Sequence, residues 1–368
     1  MRVTRVSARD FRNLERVEAA LGDAVTVVHG PNGAGKTNLL EALYFGCTAR
    51  SCRTSNEREV VRFGAKVARV EVEVEAEDGA HRLDVGLEPG EAKRVRVDGA
   101  AIAGPAGAEV RPLVSVFMPD RLDLVKGAPA LRRAHLDQLV TALWPSRAAN
   151  RTAYSRALAQ RNALIARIRA GGAAPALIDP WDAELAQAGI AVMADRAEAC
   201  SLVGHRFAER AGDLGLPDDA TLAYRPRSRA DDTGALRDEL RERRDEDLAR
   251  GFSAHGPHRD EVSLAHAGRA LRAYGSQGQQ RLGLLALLFA ERDVLLEARG
   301  QPPLMLLDDV MSELDATRRE RLADLVRGGG QALITTTDVE HVPGASADGV
   351  TLASVLDGTL RAGAAAPA

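Results

Sequence analysis

Gly30-Pro31-Asn32-Gly33-Ala34-Gly35-Lys36-Thr37 satisfies the pattern G-x-x-x-x-G-K-[ST] at every position. The apolar run Ala24-Val25-Thr26-Val27-Val28 leads into it, and Asn38-Leu39-Leu40-Glu41-Ala42-Leu43-Tyr44-Phe45 leaves it with apolar residues at helical spacing. Strand, glycine loop and helix in that order predict a phosphate-binding loop. Its three glycines let successive backbone N–H groups turn toward phosphate oxygens, with the helix N-terminus behind them. On this reading Gly30, Asn32, Gly33, Ala34, Gly35 and Asn38 form the cradle. Lys36 reaches the β- and γ-phosphates, and Thr37 offers its hydroxyl to Mg²⁺.

The 368 residues are 45% apolar and 27% charged, the composition of a soluble globular chain with room for one large or two ordinary domains. A net charge of −3 leaves any contact with nucleic acid to a local basic surface. Cys47, Cys52 and Cys200 form no C-x-x-C pair, which argues for a reducing compartment and against a disulfide framework or a zinc site. No apolar signal core follows Met1, and no apolar run approaches the roughly eighteen residues of a membrane span. A cytoplasmic protein without a membrane partner is expected.

Around the loop the residues read as α/β. Arg2 to Phe11 and Arg16 to Leu21 are β-rich, and between them lies Phe11-Arg12-Asn13-Leu14. Arg12 and Asn13 are within reach of a nucleotide at the neighbouring loop, although a solvated turn accounts for them equally well. Lys66 to Glu75, Leu83 to Leu87 and Arg94 to Val97 alternate apolar with charged residues and are punctuated by Asp78-Gly79, Pro89-Gly90 and Asp98-Gly99, as antiparallel hairpins require. Leu113 to Phe117 reads as a central strand. From about Asp120 to Arg250 the alternation gives way to helical spacing: Tyr154, Leu158, Ile165 and Ile168, then Trp181, Leu185, Val192, Ala199 and Val203 beyond a break at Gly171-Gly172 and Pro175. An inserted antiparallel helix pair is expected, too short for long coiled-coil arms. Strand character returns at Glu261 to Leu264, after Gly256-Pro257-His258-Arg259-Asp260, which reads by default as a loop with satisfied polar groups and alternatively as a metal or nucleotide site. The last residues carry too little apolar surface to dock and read as a frayed tail.

Two further stretches carry chemistry. In Tyr274-Gly275-Ser276-Gln277-Gly278-Gln279-Gln280-Arg281, Ser276 and Gln279 have capping-box spacing at the head of an apolar helix from Leu282 to about Leu296. A glycine-bearing helix N-terminus is also a ready anion receptor, so Ser276, Gly278 and Gln279 are candidate γ-phosphate contacts. Pro303-Leu304-Met305-Leu306-Leu307-Asp308-Asp309 is a buried strand ending in two acids. Asp308 is placed to organise Mg²⁺ with Thr37, and Asp309 to orient or activate water; Lys36 and Asp309 are the candidate catalytic pair.

The loop, Ser276-Gln277-Gly278-Gln279-Gln280-Arg281, Asp308-Asp309 and the following Met311-Ser312-Glu313-Leu314-Asp315 together resemble the RecF family of bacterial recombination mediators, members of the ABC class of ATPases that includes the SMC proteins. Phe11-Arg12-Asn13, Phe117-Met118-Pro119-Asp120, Val125-Lys126-Gly127, Arg132-Arg133 and Gly256 to Asp260 agree with it, so the likeness runs from about residue 10 to 340. It implies an ABC-type P-loop ATPase head, a mixed central sheet with an antiparallel β subdomain, made of 1–125 and 251–368, with a helical insertion at 126–250. It implies ATP and Mg²⁺ as ligands and a homodimer formed on ATP, in which Ser276 of one copy caps the γ-phosphate held at Lys36 of the other. It further implies slow, DNA-stimulated ATP hydrolysis, binding to gapped DNA and single-strand/double-strand junctions, and work with RecR and RecO to load RecA in DNA repair, replication and the SOS response. Lys126, Arg132 and Arg133 are candidate phosphate contacts. Asp309 stands where many ABC proteins carry Glu, and Thr335-Thr336-Thr337-Asp338 where many carry His, which fits slow turnover. The alternative is another SMC-like ABC head, a structural clamp or the ATPase subunit of a nuclease complex. A transporter subunit would carry Leu-Ser-Gly-Gly-Gln instead.

Overall fold

A computed structural model of the protein describes residues 1–102, 110–118, 122–216, 219–356 and 358–362. Pro119-Asp120 and the tail at 363–368 lie outside the described residues. By packing, the chain divides into two units, Met1–Arg121 with Leu295–Ala368, and Leu122–Val294.

The first unit is built on two six-stranded sheets that share one helix. In the parallel-dominated sheet the order is 359–362, 350–356, 25–29, 332–336, 304–307, 114–117, with only the 359–362 edge strand antiparallel. Val25–His29 is thus central and buried on both faces, as its unbroken apolar run requires. The second sheet is antiparallel, in the order 14–20, 2–11, 68–76, 79–87, 94–97, 100–101. Val6, Ala8, Val17, Val70, Val72, Val85 and Val95 face inward from it, the clean alternation of a half-solvated sheet. Helix Lys36–Thr48 puts Leu39, Leu40, Leu43 and Phe45 into the same core as Val28, Leu306 and Leu333, so both sheets seat the helix that begins at the phosphate loop. Gly46 permits the close approach: a Cβ there would sit 2.4 Å from Val72.

The second unit is helical, with the long helices Ala148–Arg169 and Asp179–Asp213 in contact along Tyr154, Ala157, Leu185, Ala186 and Val192. Arg161 meets Asp182 and Asn150 meets Asp195, so the pair runs antiparallel, as the spacing predicts. One expectation is corrected. Thr221–Arg225, inside the stretch read as helical, is a strand that pairs with Glu261–His266, whose other edge takes Arg269–Ala270. Its five residues are too few for a periodicity to show, and the partner that holds it lies some forty residues on. Residues 251–294 cluster with this second unit, tied to it by that pairing and by Arg132 on Glu261. No helix among the described residues is long and apolar enough to cross a membrane.

Candidate functional site

The loop takes its shape from glycines whose backbone or close contacts disfavour a side chain. Gly33 (φ 81°) and Gly35 (φ 112°) are left-handed, and Gly35 caps helix Lys36–Thr48. At Gly30 a Cβ would stand 2.2 Å from the carbonyl oxygen of Val355. Lys36 Nζ donates to the carbonyls of Gly30 at 2.8 Å and Pro31 at 3.0 Å, which braces the loop and holds the ammonium at its mouth. Burial lowers the Lys36 pKa, against the opposing pull of Asp309 and Asp308.

Opposite the loop, strand Leu304–Leu307 ends at the two acids. Thr37 Oγ1 donates to Asp308 at 2.9 Å to each carboxylate oxygen, and Thr335 Oγ1 donates to Asp308 Oδ1 at 2.6 Å. Burial raises the Asp308 pKa, the hydroxyl groups of Thr335 and Thr37 oppose the rise, and Asp309 adds to it. Asp309 has a left-handed backbone (φ 44°), and its N–H donates to Thr335 at 3.1 Å to the carbonyl and 3.0 Å to the hydroxyl. Its Oδ1 is buried with no hydrogen-bond partner.

Asn32, Gly33, Gly35, Lys36, Thr37, Asn38, Arg53, Asp308 and Asp309 line one cavity of about 290 Å³. Eight of the nine were candidates on sequence. Gly30 and Ala34 belong to the same loop without lining the cavity, and Asn13 braces it by donating to Gly33 O at 3.2 Å and accepting from Asn38 at 2.7 Å. Arg12 is directed elsewhere: its Nε and Nη2 make a bidentate pair with the fully buried Glu41 at 3.0 and 2.8 Å, and Nη1 donates to Glu59 O. Arg53 is the residue that sequence reading missed. It donates to Asn38 Oδ1 at 2.9 Å and Glu41 Oε2 at 3.3 Å, bringing a guanidinium to the cavity opposite the acids. No motif surrounds it, so only the fold could place it there.

The fit to Mg²⁺ rests on the donor set. A hydroxyl and a carboxylate in direct contact are the hard oxygen ligands that Mg²⁺ takes alongside phosphate and water, in place of an all-protein cage.

Ser276, Gly278 and Gln279 lie in the second unit. The capping box is formed: Ser276 N–H donates to Gln279 Oε1 at 2.8 Å and Gln279 N–H to Ser276 Oγ at 3.3 Å. Gln280 Nε2 fixes the turn by donating to Leu271 O and Gly275 O. Ser276, Gln277 and Gly278 are exposed, so this helix N-terminus is presented to solvent.

The Gly256 to Asp260 loop is consumed by structure. His258 Nε2 lies 2.8 Å from Ser253 O and Nδ1 2.7 Å from the Tyr154 hydroxyl, an arrangement met by a neutral ring protonated on Nε2. Burial lowers its pKa to about 4. Asp260 accepts from the Tyr224 hydroxyl, from Arg227 N–H at 2.7 Å and from Arg196. Because the unfolded chain protonates His258 near pH 6.5 and the folded chain only near 4, stability should fall as pH drops through that window, by at most about 3 kcal/mol. Urea titrations across it should show a shallower acid loss in His258→Gln; an identical loss would remove His258 as the cause.

A family model described as an AAA domain matches residues 5–106. The chain is 36% identical over 375 residues to the DNA replication and repair protein RecF of Streptomyces avermitilis, covering 98% of this chain and 100% of that protein. It is 38% identical over 361 residues to the protein of the same name from Myxococcus xanthus, covering 95% and 94%. Among solved structures, the recombination mediator protein RecF with ATP in the RecFOR pathway superposes with a TM-score of 0.87 at 25% identity over 99% and 98% of the two chains. An Smc head bound to the C-terminal winged-helix domain of ScpA matches at a TM-score of 0.57 and 17% identity over 98% and 96%, a likeness of fold alone.

Proposed function

The chain belongs to the RecF family of DNA replication and repair proteins, with the fold of an ABC-type P-loop ATPase head carrying a helical insertion, and from that premise we propose that it is an ATP-dependent recombination mediator. The observation that carries the reading is the convergence of Lys36 and Thr37, at a helix start, with Asp308 and Asp309, at a strand end far away in sequence, on one cavity. The roles follow from their chemistry. Loop N–H groups and Lys36 bind and neutralise the β- and γ-phosphates. Thr37 and Asp308 would hold Mg²⁺, which when bound draws charge from the transferring phosphoryl group. Asp309 orients the attacking water through its unpartnered oxygen. The short carboxylate, and a strand end that offers Thr335 and Thr336, favour slow turnover, with DNA as the stimulus.

We keep the functional head as 1–125 with 251–368, and 126–250 as the insertion, because the Ser276 segment serves the nucleotide. Its exposure supports action in trans: one copy's Ser276, Gly278 and Gln279 cap ATP held by the other, so ATP drives a homodimer that closes on DNA and hydrolysis reopens it. Gapped DNA and its junctions, RecR, RecO and, through them, RecA are the partners the family reading supplies. Of the arginines suggested by sequence as DNA contacts, Arg132 is buried on Glu261 at 2.9 Å and Arg133 donates to Asp260 O at 2.7 Å, while Lys126 is exposed.

Two variants test the switch. Lys36→Ala should lose about 10- to 100-fold in ATP affinity by equilibrium binding, the scale of a charged hydrogen-bonding group; unchanged affinity removes the basis of the reading. Ser276→Arg should bind ATP normally and fail to dimerise in sedimentation. Normal dimers would rule out a cap in trans.

A further inference from the structure

We propose that the solvent face of the antiparallel sheet binds single-stranded DNA, with a row of arginines on its phosphates and Phe63 against a base; this rests on the reading that the chain binds DNA. The register sets Arg16 opposite Arg9, Arg9 opposite Arg69, Arg69 opposite Gly86 and Gly86 opposite Arg94. Paired residues share a face, so four guanidinium groups line up across five strands, a span of about 19 Å at ~4.8 Å per strand.

Like charges directly opposite each other destabilise a sheet. Elsewhere on this face Arg2 lies opposite Glu75 and Arg5 opposite Glu73. The row next to the arginines carries Glu18, Glu71 and Asp84, but Glu18 is held by Arg5 and Glu71 lies 3.5 Å from Arg82. What remains for the arginine row is weak. Arg16 shares Glu18 at 3.2 Å, Arg9 lies 3.7 Å from Asp10, which Arg62 also approaches, and Arg94 lies 3.9 Å from Glu88. Arg69 has no ion pair among the described residues. The side chains of Arg9, Arg16 and Arg94 are 73%, 76% and 67% exposed, so their charge is directed at solvent. Gly86 interrupts the row and leaves a shallow cavity of about 120 Å³ lined by Arg69, Arg94 and Arg96, with Asp84 and Glu88 at its side.

Phe63 makes the ligand a strand and not a duplex. It sits in a turn pinned to the same end of the sheet, where Arg62 N–H donates to Asp10 O at 2.9 Å and Ala65 N–H to Arg62 O at 3.0 Å. Its ring is wholly exposed, an unusual position for phenylalanine. A duplex keeps its bases stacked inside and offers such a ring nothing, whereas an unpaired base stacks on it. Cations in a line beside an aromatic are the two parts of a single-strand platform.

Fluorescence anisotropy with the full chain on a labelled single strand, a blunt duplex and a gapped duplex, from about 50 to 200 mM salt, tests this. Arg9→Ala/Arg69→Ala should weaken single-strand binding and lower the slope of log K against log salt by about 1.4, at ~0.7 per phosphate, while Arg9→Lys/Arg69→Lys keeps the slope. Phe63→Ala should weaken single-strand binding by about tenfold or more at unchanged slope and leave the duplex alone. Wild-type binding that survives the double alanine variant with its slope intact overturns the surface while leaving the family reading standing, as does a Phe63→Ala loss equal on strand and duplex. A wild-type chain that binds none of the three substrates overturns both.

Discussion

Asp309→Asn should leave ATP binding intact and cut phosphate release by about 10²- to 10⁴-fold, the range for loss of a positioned general base. Three features fix this acid: a left-handed backbone, an N–H anchored twice on Thr335, and a buried Oδ1 that nothing else engages. Asparagine keeps the shape and the anchor and removes only the basicity, so the loss should fall on the rate. The same change relieves Asp308. Burial is the larger cause of its raised pKa and Asp309 the smaller, so the variant moves the Asp308 titration down. In the wild type, Mg²⁺ affinity should fall as pH drops through the raised Asp308 pKa, because only the carboxylate binds the ion. In Asp309→Asn that fall should come at lower pH. Isothermal titration with Mg²⁺ and nucleotide reads it directly; coincident pH curves for the two proteins would mean that the acids do not interact.

Arg161→Leu should destabilise the helical unit by about 3–5 kcal/mol, the cost of removing one partner from a buried ion network. Arg161 is fully buried, with Nε on Asp182 at 2.7 Å and Nη1 on Asp247 at 2.6 Å and Ser253 at 2.7 Å, joining three helices at a single side chain. Leucine approximates the stem and strands the charges. Asp182 keeps Arg244 at 2.7 Å, whereas Asp247 keeps only the N–H of Ala254 at 2.8 Å on its other oxygen. Asp247 therefore dominates the loss, and adding Asp247→Asn to Arg161→Leu should recover part of it. A urea midpoint for Arg161→Leu that matches the wild type would show that the network contributes nothing net.

The phosphate loop and the acids that line its cavity were legible in the sequence because phosphate binding is done by backbone and by residues whose spacing is local. Gly30 to Thr37 and the strand-end acids each announce themselves within ten residues. What joins them is not local. Arg53 reaches the cavity through ties to Asn38 and Glu41, Thr335 meets Asp308 from the neighbouring strand, and Arg12 lies beside the loop yet turns to Glu41, a carboxylate that helical spacing alone gives no reason to bury. The hairpins were readable from alternation, and the long helices from their apolar spacing. Thr221–Arg225 was not, since a short strand is defined by its partner. The arginine row is likewise invisible in one dimension: positions 9, 16, 69 and 94 acquire a common line only when register aligns them.

The phosphate loop also has a history in time. Gly30 closes against Val355, Gly358 N–H donates to the carbonyl of Ala34 at 2.9 Å, and Asp308, held by Thr335, faces the loop through Thr37. Every one of those partners is synthesised after the helical unit. At about 5–20 residues per second, translation leaves the loop roughly 15–60 s on the ribosome without them. The nascent chain therefore carries its phosphate-binding motif early and the acids opposite it late, and a chain released before residue 308 has the motif without the residues that complete the cavity.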